Sequence, residues 1–403
     1  MPGAFLHPFS APREDRFLSI VAGKGALVWD DRGNEYVDGI ASLWYVNIGH
    51  GREDMAEAIA AQARTLASYM TFHPYTNPWA EEAAARIVAL SPFLDGRVFL
   101  CTSGSEAVDS AIKLARIAQR EAGHPERQIV IGRERGYHGS NYGGTSVQGI
   151  PANREGFGPF LPGTLYVAAD DEEAMKQVFA EHGDEIAAVI TEPVQGASGV
   201  WPPPPGYLES LRDLCDAHGA YLIHDEVITG FGRLGRWFGS QFYGVTPDLI
   251  TFAKGVTSGY VPFGGVLVGS RVRAALEANP GFWLRTGYTY SGHALGAAAA
   301  LKALDIQEQE GLVERALVIK AWLESGLEEL RGDGLITHPC GEGAVWGLSV
   351  AEDPVVVRNR LLDEGVILRP IGPNRLAMCP PLVITEEQVG RIFTALRTVL
   401  TPH

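Results

Sequence analysis

Residues 220–255 read AYLIHDEVITGFGRLGRWFGSQFYGVTPDLITFAKG. Two apolar runs, Tyr221-Leu222-Ile223 and Leu249-Ile250-Thr251-Phe252, are bounded by turn residues. Each leads into ionisable side chains, Asp225 and Glu226 after the first and Lys254 after the second. Short apolar runs of this kind suit strands buried on both faces of a mostly parallel sheet. From position 225 to position 254 there are 29 residues, enough for a return connection and the next strand. The acid and the lysine can therefore stand at one edge of one sheet. In open α/β sheets that edge, beyond the carboxyl ends of the strands, is where ligands sit.

Working outward, Arg97-Val98-Phe99-Leu100, Ile129-Val130-Ile131 and Ala188-Val189-Ile190 read as further strands of the same kind. The residues that follow them are Thr102-Ser103-Gly104-Ser105, Gly136-Tyr137-His138-Gly139 and Glu192-Pro193. After the first comes a helix from about Glu106, with Val108, Ala111, Ile112 and Ala115 at helical spacing. Ser103 as N-cap with Glu106 three residues on makes a capping box, and the free N–H groups of such a helix start bind phosphate. Upstream, GALVWDDRGNEYVDGIASLWYVNIGHG reads as short strands with a turn at Asp31–Asn34, and from about residue 53 the pattern turns helical. Helices resume after about residue 300, followed by shorter strands such as Val366-Ile367-Leu368. The expectation is an α/β chain with a large domain over 53–300, mostly parallel sheet between helices. A smaller α/β domain is built from both chain ends, 1–52 and 301–403.

Composition narrows the classes. At 403 residues, two domains are the ordinary outcome, and 46% hydrophobic with 20% charged residues is usual for a globular enzyme. A formal net charge of −15 argues against a nucleic-acid partner. No apolar run is long enough to span a bilayer and the start shows no secretory h-region, so no membrane partner is expected. Cys101, Cys215, Cys340 and Cys379 are scattered without a CxxC pair, which disfavours a disulfide framework or a metal site and suits a cytoplasmic protein. Gly230–Gly235 matches GxGxxG after a strand, but the following RWFGSQFYGVTPD lacks helical apolar spacing, so nicotinamide dinucleotide binding is not expected.

Of six lysines, Lys24 lies in a Gly-Lys-Gly turn and Lys113, Lys176, Lys302 and Lys320 lie in helical patterns. Lys254 alone ends an apolar strand and precedes a Gly-rich loop. A partly desolvated amine loses its proton more readily and attacks carbonyls; a snorkelling lysine is the equally simple alternative. Asp225, an acid at a buried strand end, needs a partner. The protonated nitrogen of a pyridine-ring cofactor would supply one; an ion pair or N-cap would serve as well.

Taken together, TSGSEAVDSAIKLAR, GYHGS, EPVQGASG, HDEVITGFGRLG, FAKGVTSGYVPFGG and GYTYSGHALGAAAAL, in this order, resemble the class III aminotransferases of pyridoxal-phosphate (PLP) fold type I, and the likeness runs over nearly the whole chain. The resemblance implies that Lys254 carries PLP and moves a proton. It implies that Asp225 holds the pyridine nitrogen, with Glu192 nearby to position it. Val227 and Tyr137 would flank the ring, and His138 would complete the GYHG contribution to the cofactor site. Ser103, Gly104 and Ser105 would hold the phosphate, and Thr289 would reach it from a second subunit of a homodimer. An amine donor and a keto acid acceptor then react by a ping-pong mechanism. Arg369, in VILRPIG, matches the arginine that binds substrate carboxylates in many members. Trp44, in SLWYVNIGHG, resembles the pocket aromatic of the amine:pyruvate and β-alanine:pyruvate branch, and Phe72 falls where that branch narrows its small pocket. Pyruvate is the acceptor so implied. Alternatives on the same scaffold are a 2-oxoglutarate-dependent enzyme of the 4-aminobutyrate, acetylornithine or diaminopelargonate type, and a PLP aminomutase or decarboxylase.

Overall fold

The computed structural model describes residues 4–401. Near the start, β1 (Ile20–Lys24), β2 (Leu27–Asp30) and β3 (Glu35–Asp38) form an antiparallel meander. Asp30 sets the β2–β3 turn by accepting from the backbone N–H groups of Arg32 and Asn34. Helices Glu53–Leu66 and Pro78–Leu90 follow, the second capped by Asn77, whose side chain accepts from Ala80 N, with proline at its first position.

The central sheet is built from β4 (Arg97–Cys101), β5 (Ile129–Arg133), β6 (Thr164–Val167), β7 (Ile186–Thr191), β8 (Tyr221–Asp225), β9 (Leu249–Phe252) and β10 (Gly264–Val268). Its order is β4-β10-β9-β8-β7-β5-β6. All neighbours are parallel except those of β10, which runs antiparallel to β4 and to β9. Every residue of β7, β8 and β9 is buried, as near-continuous apolar runs require. Helix Gly104–Glu121 covers one face with Ala107, Val108, Ala111, Ile112, Leu114, Ala115 and Ala118, the spacing of an amphipathic helix.

Toward the C-terminus, β11 (Thr337–Glu342), β12 (Val345–Ser349), β13 (Val366–Ile367), β14 (Arg369–Ile371) and β15 (Arg375–Met378) divide between two sheets. One is β11-β12-β15-β14. The other is β1-β2-β3-β13, where Val366 pairs with Val37 and Ile367 with Asp38. Both chain ends thus contribute strands to one sheet. The GxGxxG segment runs as turns with no helix opening on it. Within it Arg233, fully buried, donates to Asn47 Oδ1 (2.5 Å) and Pro380 O (2.6 Å), while its carbonyl accepts from Ala344 N (2.9 Å). One side chain therefore ties the mid-chain turn to both ends. Among the described residues no helix is long and apolar enough to cross a membrane.

Candidate active site

β8 and β9 lie side by side, and Asp225 at the end of β8 stands in register with Thr251 of β9. Three residues beyond Thr251, Lys254 opens a single turn of 3-10 helix at φ 48°. A residue with a side chain enters that left-handed region only where its surroundings hold it, a form of strain that clusters at functional sites. The two groups therefore share the carboxyl edge of the sheet and one cavity of about 190 Å³, together with Ser103, Gly104, Ser105, Tyr137, His138, Glu192 and Val227. Lys254 is enclosed enough that burial pulls its amine down to about 8, against the opposing pull of the Asp225 and Glu192 carboxylates.

The Asp225 carboxylate is fixed from three sides. Its Oδ1 accepts from Val227 N (3.2 Å) and from the Thr251 hydroxyl (2.9 Å), and its Oδ2 lies 2.8 Å from His138 Nδ1. His138 is itself buried, and its Nε2 has no hydrogen-bond partner among the described residues. Glu192 does not reach Asp225 by a hydrogen bond. Its two oxygens accept from Tyr137 N and Gly196 N, each at 2.9 Å, so it orients the loop that carries Tyr137. Burial raises the Glu192 carboxyl to about 7.

Opposite Asp225, helix Gly104–Glu121 points its start at the cavity. Ser103 caps it by accepting from Glu106 N (3.2 Å), but Glu106 reaches back to Thr102 N and the Thr102 hydroxyl (both 2.7 Å) rather than to Ser103, so the capping box is displaced by one residue. The Ser105 hydroxyl accepts from Ser140 N (3.0 Å) and so ties the helix start to the loop after Tyr137. A Cβ on Gly104 would come within 3.0 Å of Val227, so this backbone stays bare for close approach.

The remaining expected residues lie in three places. Arg369, half-buried on β14, is close enough to act on the charge of Lys254, and its own neighbourhood includes Tyr137. Among the described residues no carboxylate pairs with it. Trp44 is not on the cavity wall. It is buried among Ile40, Val194, Ile228 and Ile371, and its neighbour Leu43 faces the cavity instead. The cause is local: Ala41, Ser42 and Trp44 all take positive φ, and this twist reverses which side chain points inward. Phe72 and Thr289 are exposed and do not line the Lys254 cavity. Phe72 borders a separate cavity of about 310 Å³ with Thr286, Gly287 and Ser291, in the loop that carries Thr289. Thr251 is the group that the sequence reading missed; a hydroxyl in the otherwise apolar LITF was its only signal.

Residues 9–400 match the profile of the family described as aminotransferase class-III. The chain belongs to the class III aminotransferases. It is 36% identical to the putrescine–pyruvate aminotransferase of Pseudomonas aeruginosa, over 94% of this chain and 90% of that protein. With the β-alanine–pyruvate aminotransferase of the same organism it is also 36% identical, over 98% and 94%. A PLP-bound amine transaminase structure from an uncultivated Pseudomonas species superposes with a TM-score of 0.93 at 36% identity, covering 99% of each chain. Class III aminotransferases use PLP, pass an amino group from an amine donor to a keto acid, and have the fold type I architecture described above. The cavity of this aminotransferase fits that cofactor: a bare helix start for a phosphate, a fixed carboxylate for a ring nitrogen, and a buried amine for a carbonyl carbon.

Proposed function

We propose that this aminotransferase takes its amino group from an amine or an ω- or β-amino acid and gives it to pyruvate, and that it works as a homodimer with shared active sites. The observation that carries the site assignment is the juxtaposition of Lys254 and Asp225 on adjacent strand ends, with the lysine amine pulled down to about 8 by burial. Bound PLP supplies the electron sink that lets a donor lose the proton beside its nitrogen. The protein residues do the rest. Asp225, held by His138, Thr251 and Val227 N, presents a carboxylate to the pyridine nitrogen. Gly104 and Ser105 offer backbone N–H groups to the phosphate at the helix start, where the helix dipole favours negative charge. Val227 and Tyr137, which both line the cavity, would flank the ring.

Lys254 Nζ is the amine that would hold the cofactor. Once free, the same amine would serve as general base and general acid for the donor's proton. An amine drawn below its ordinary range is partly neutral near pH 8, as that shuttle requires. Arg369, cationic and without a carboxylate partner among the described residues, would receive the carboxylate of pyruvate or of an amino-acid donor as a planar fork. The similarity to pyruvate-dependent relatives supports pyruvate as acceptor. For the dimer, the support is the exposed position of Thr289 beside exposed Tyr69, Met70, Phe72, Tyr75 and Tyr290, an apolar surface of the kind that marks an interface.

The deciding experiment records the visible spectrum of the PLP-loaded protein while a donor and then a keto acid are added. A cofactor band bleached by the amine and restored by pyruvate is the expected result. Restoration by 2-oxoglutarate alone would transfer the protein to another branch, and a protein that never develops the band would overturn the role of Lys254.

A further inference from the structure

The β14–β15 hairpin carries a second arginine besides Arg369. Its register sets Arg369 opposite Ala377 and Ile371 opposite Arg375, and the pleat puts all of them on one face. On that face Ile371 and Ala377 pack with Val194 and Val200, from the segment between β7 and β8. Arg375 is buried and its guanidinium is almost wholly committed. Nε donates to Gly199 O (2.8 Å), Nη1 to His338 O (3.1 Å) and the Ser349 hydroxyl (2.8 Å), and Nη2 to Cys340 Sγ (3.0 Å). Its plane also lies over the Trp201 ring, 4.1 Å from the centroid. The Cys340 thiol in turn donates to Val200 O (3.0 Å). The Gly199–Trp201 turn is thus gripped from β11 and β15. On its other side the turn leads to the cofactor cavity. Gln195 and Trp201 exchange backbone hydrogen bonds (3.0 and 2.9 Å), Gly196 N donates to Glu192 Oε2, and Glu192 Oε1 accepts from Tyr137 N. Direct contacts therefore run from the hairpin of Arg369 to the loop of Tyr137.

We infer that Arg375 is a positioning residue: by clamping the Gly199–Trp201 turn to the β14–β15 hairpin, it sets the place of the Arg369 guanidinium relative to the cofactor cavity and so governs recognition of the substrate carboxylate. The inference rests on the proposed role of Arg369 and names the residue through which that role is held. A buried cation is costly, and well-packed apolar residues often fill such a place without loss of stability. What they cannot supply is a fork that joins β11, β12 and the turn while stacking on a ring. A lysine cannot supply it either, because its ammonium is a point charge with no plane to stack and no second nitrogen to reach the far partners. Misplacement of a recognition group costs rate and affinity even when the altered residue lies away from the chemistry.

The test separates the two half-reactions by stopped-flow absorbance. Enzyme loaded with pyridoxamine phosphate is mixed with pyruvate, and PLP-loaded enzyme with propylamine, which has no carboxylate. Arg375→Lys is expected to raise the half-saturating pyruvate concentration by about tenfold. The rate at saturating pyruvate and the propylamine half-reaction should each stay within about twofold of the parent. In an Arg369→Ala background, Arg375→Lys should add nothing to the pyruvate defect, because the group it positions is gone. Trp201→Leu, at a half-buried position, removes the stacking ring and leaves the four side-chain hydrogen bonds of Arg375. It should show the same pattern in smaller measure, and it decides the matter if Arg375→Lys does not fold. Unchanged pyruvate saturation, equal losses with pyruvate and propylamine, or effects of Arg369→Ala and Arg375→Lys that multiply would each overturn the positioning role. If Arg369→Ala alone leaves pyruvate saturation unchanged, the proposed role of Arg369 falls instead, and this inference with it.

Discussion

At the scale of single residues, the chemistry depends on how few groups in the cavity are free. Asp225, Glu192, Ser103 and Ser105 all spend hydrogen bonds on the protein, whereas among the described residues no carboxylate is hydrogen-bonded to Lys254 or Arg369. Lys254→Ala is expected to retain weak PLP binding through the phosphate contacts but to lose kcat by a factor of about 10²–10⁴; a wild-type rate in steady-state assays would remove the lysine from the mechanism. Because only the neutral amine captures the cofactor, and burial draws that amine down to about 8, the rate of PLP uptake by the apoprotein should rise with pH up to about 8 and flatten above it. Stopped-flow absorbance would follow it. Arg369→Ala should raise KM for pyruvate and for amino-acid donors by about 10–100-fold, the range expected for a lost hydrogen-bonded charge pair. Simple amines should be affected far less, and an equal loss for both would make the arginine structural. Lys254 and Asp225 were legible in the sequence because ionisable groups interrupting buried apolar runs are rare and costly. The division of labour between His138 and Glu192 was not legible, since either can reach a strand end and only the loop path after β5 decides which does.

Among elements, β4, β5, β7, β8 and β9 stand where apolar runs were read as strands, and in β7, β8 and β9 burial on both faces leaves no polar alternation to interpret. β10 escaped notice because it begins Gly264-Gly265, residues with weak strand preference that merge with the preceding Gly-rich loop. Its antiparallel course places it between β4 and β9, making the sheet seven strands rather than a purely parallel set. The displacement of Trp44 by Leu43 was equally hidden, because three residues at positive φ within positions 41–44 leave no mark in a hydrophobic pattern. Asp38 steadies that segment, accepting from Ile40 N (3.2 Å), Ser42 N (2.7 Å) and His50 Nε2 (2.8 Å). Arg233 acts between elements. Truncating it to alanine removes two side-chain hydrogen bonds and leaves Asn47 Oδ1 and Pro380 O buried without that donor. Arg233→Ala is therefore expected to destabilise the protein by about 3 kcal/mol in denaturant titrations. A change within 0.5 kcal/mol, the scale of an ordinary surface substitution, would mean the turn is held without the Arg233 side chain, by bonds such as Ala344 N to Arg233 O and Asn47 Nδ2 to Phe231 O.

For the whole molecule, the proposed homodimer, with Thr289 serving the Lys254 site of the other subunit, predicts complementation between subunits. A mixture of Lys254→Ala and Thr289→Ala chains, unfolded and refolded together, should recover more activity than either refolded alone. Each mixed dimer can then assemble one site with both residues intact. No gain, with mixed dimers demonstrated by native mass spectrometry, would confine each site to one chain. The β1-β2-β3-β13 sheet has a consequence of a different kind, for synthesis on the ribosome. Val37 meets its partner Val366 only after more than three hundred further residues have been translated. At about 5–20 residues per second that is roughly 20–60 s, during which the β3 edge, including the N–H of Val37 that will bond Gly365 O, stands open. The nascent N-terminal hairpin is thus the part of this chain most in need of shielding by a chaperone, and premature termination before residue 366 leaves that edge permanently unpaired.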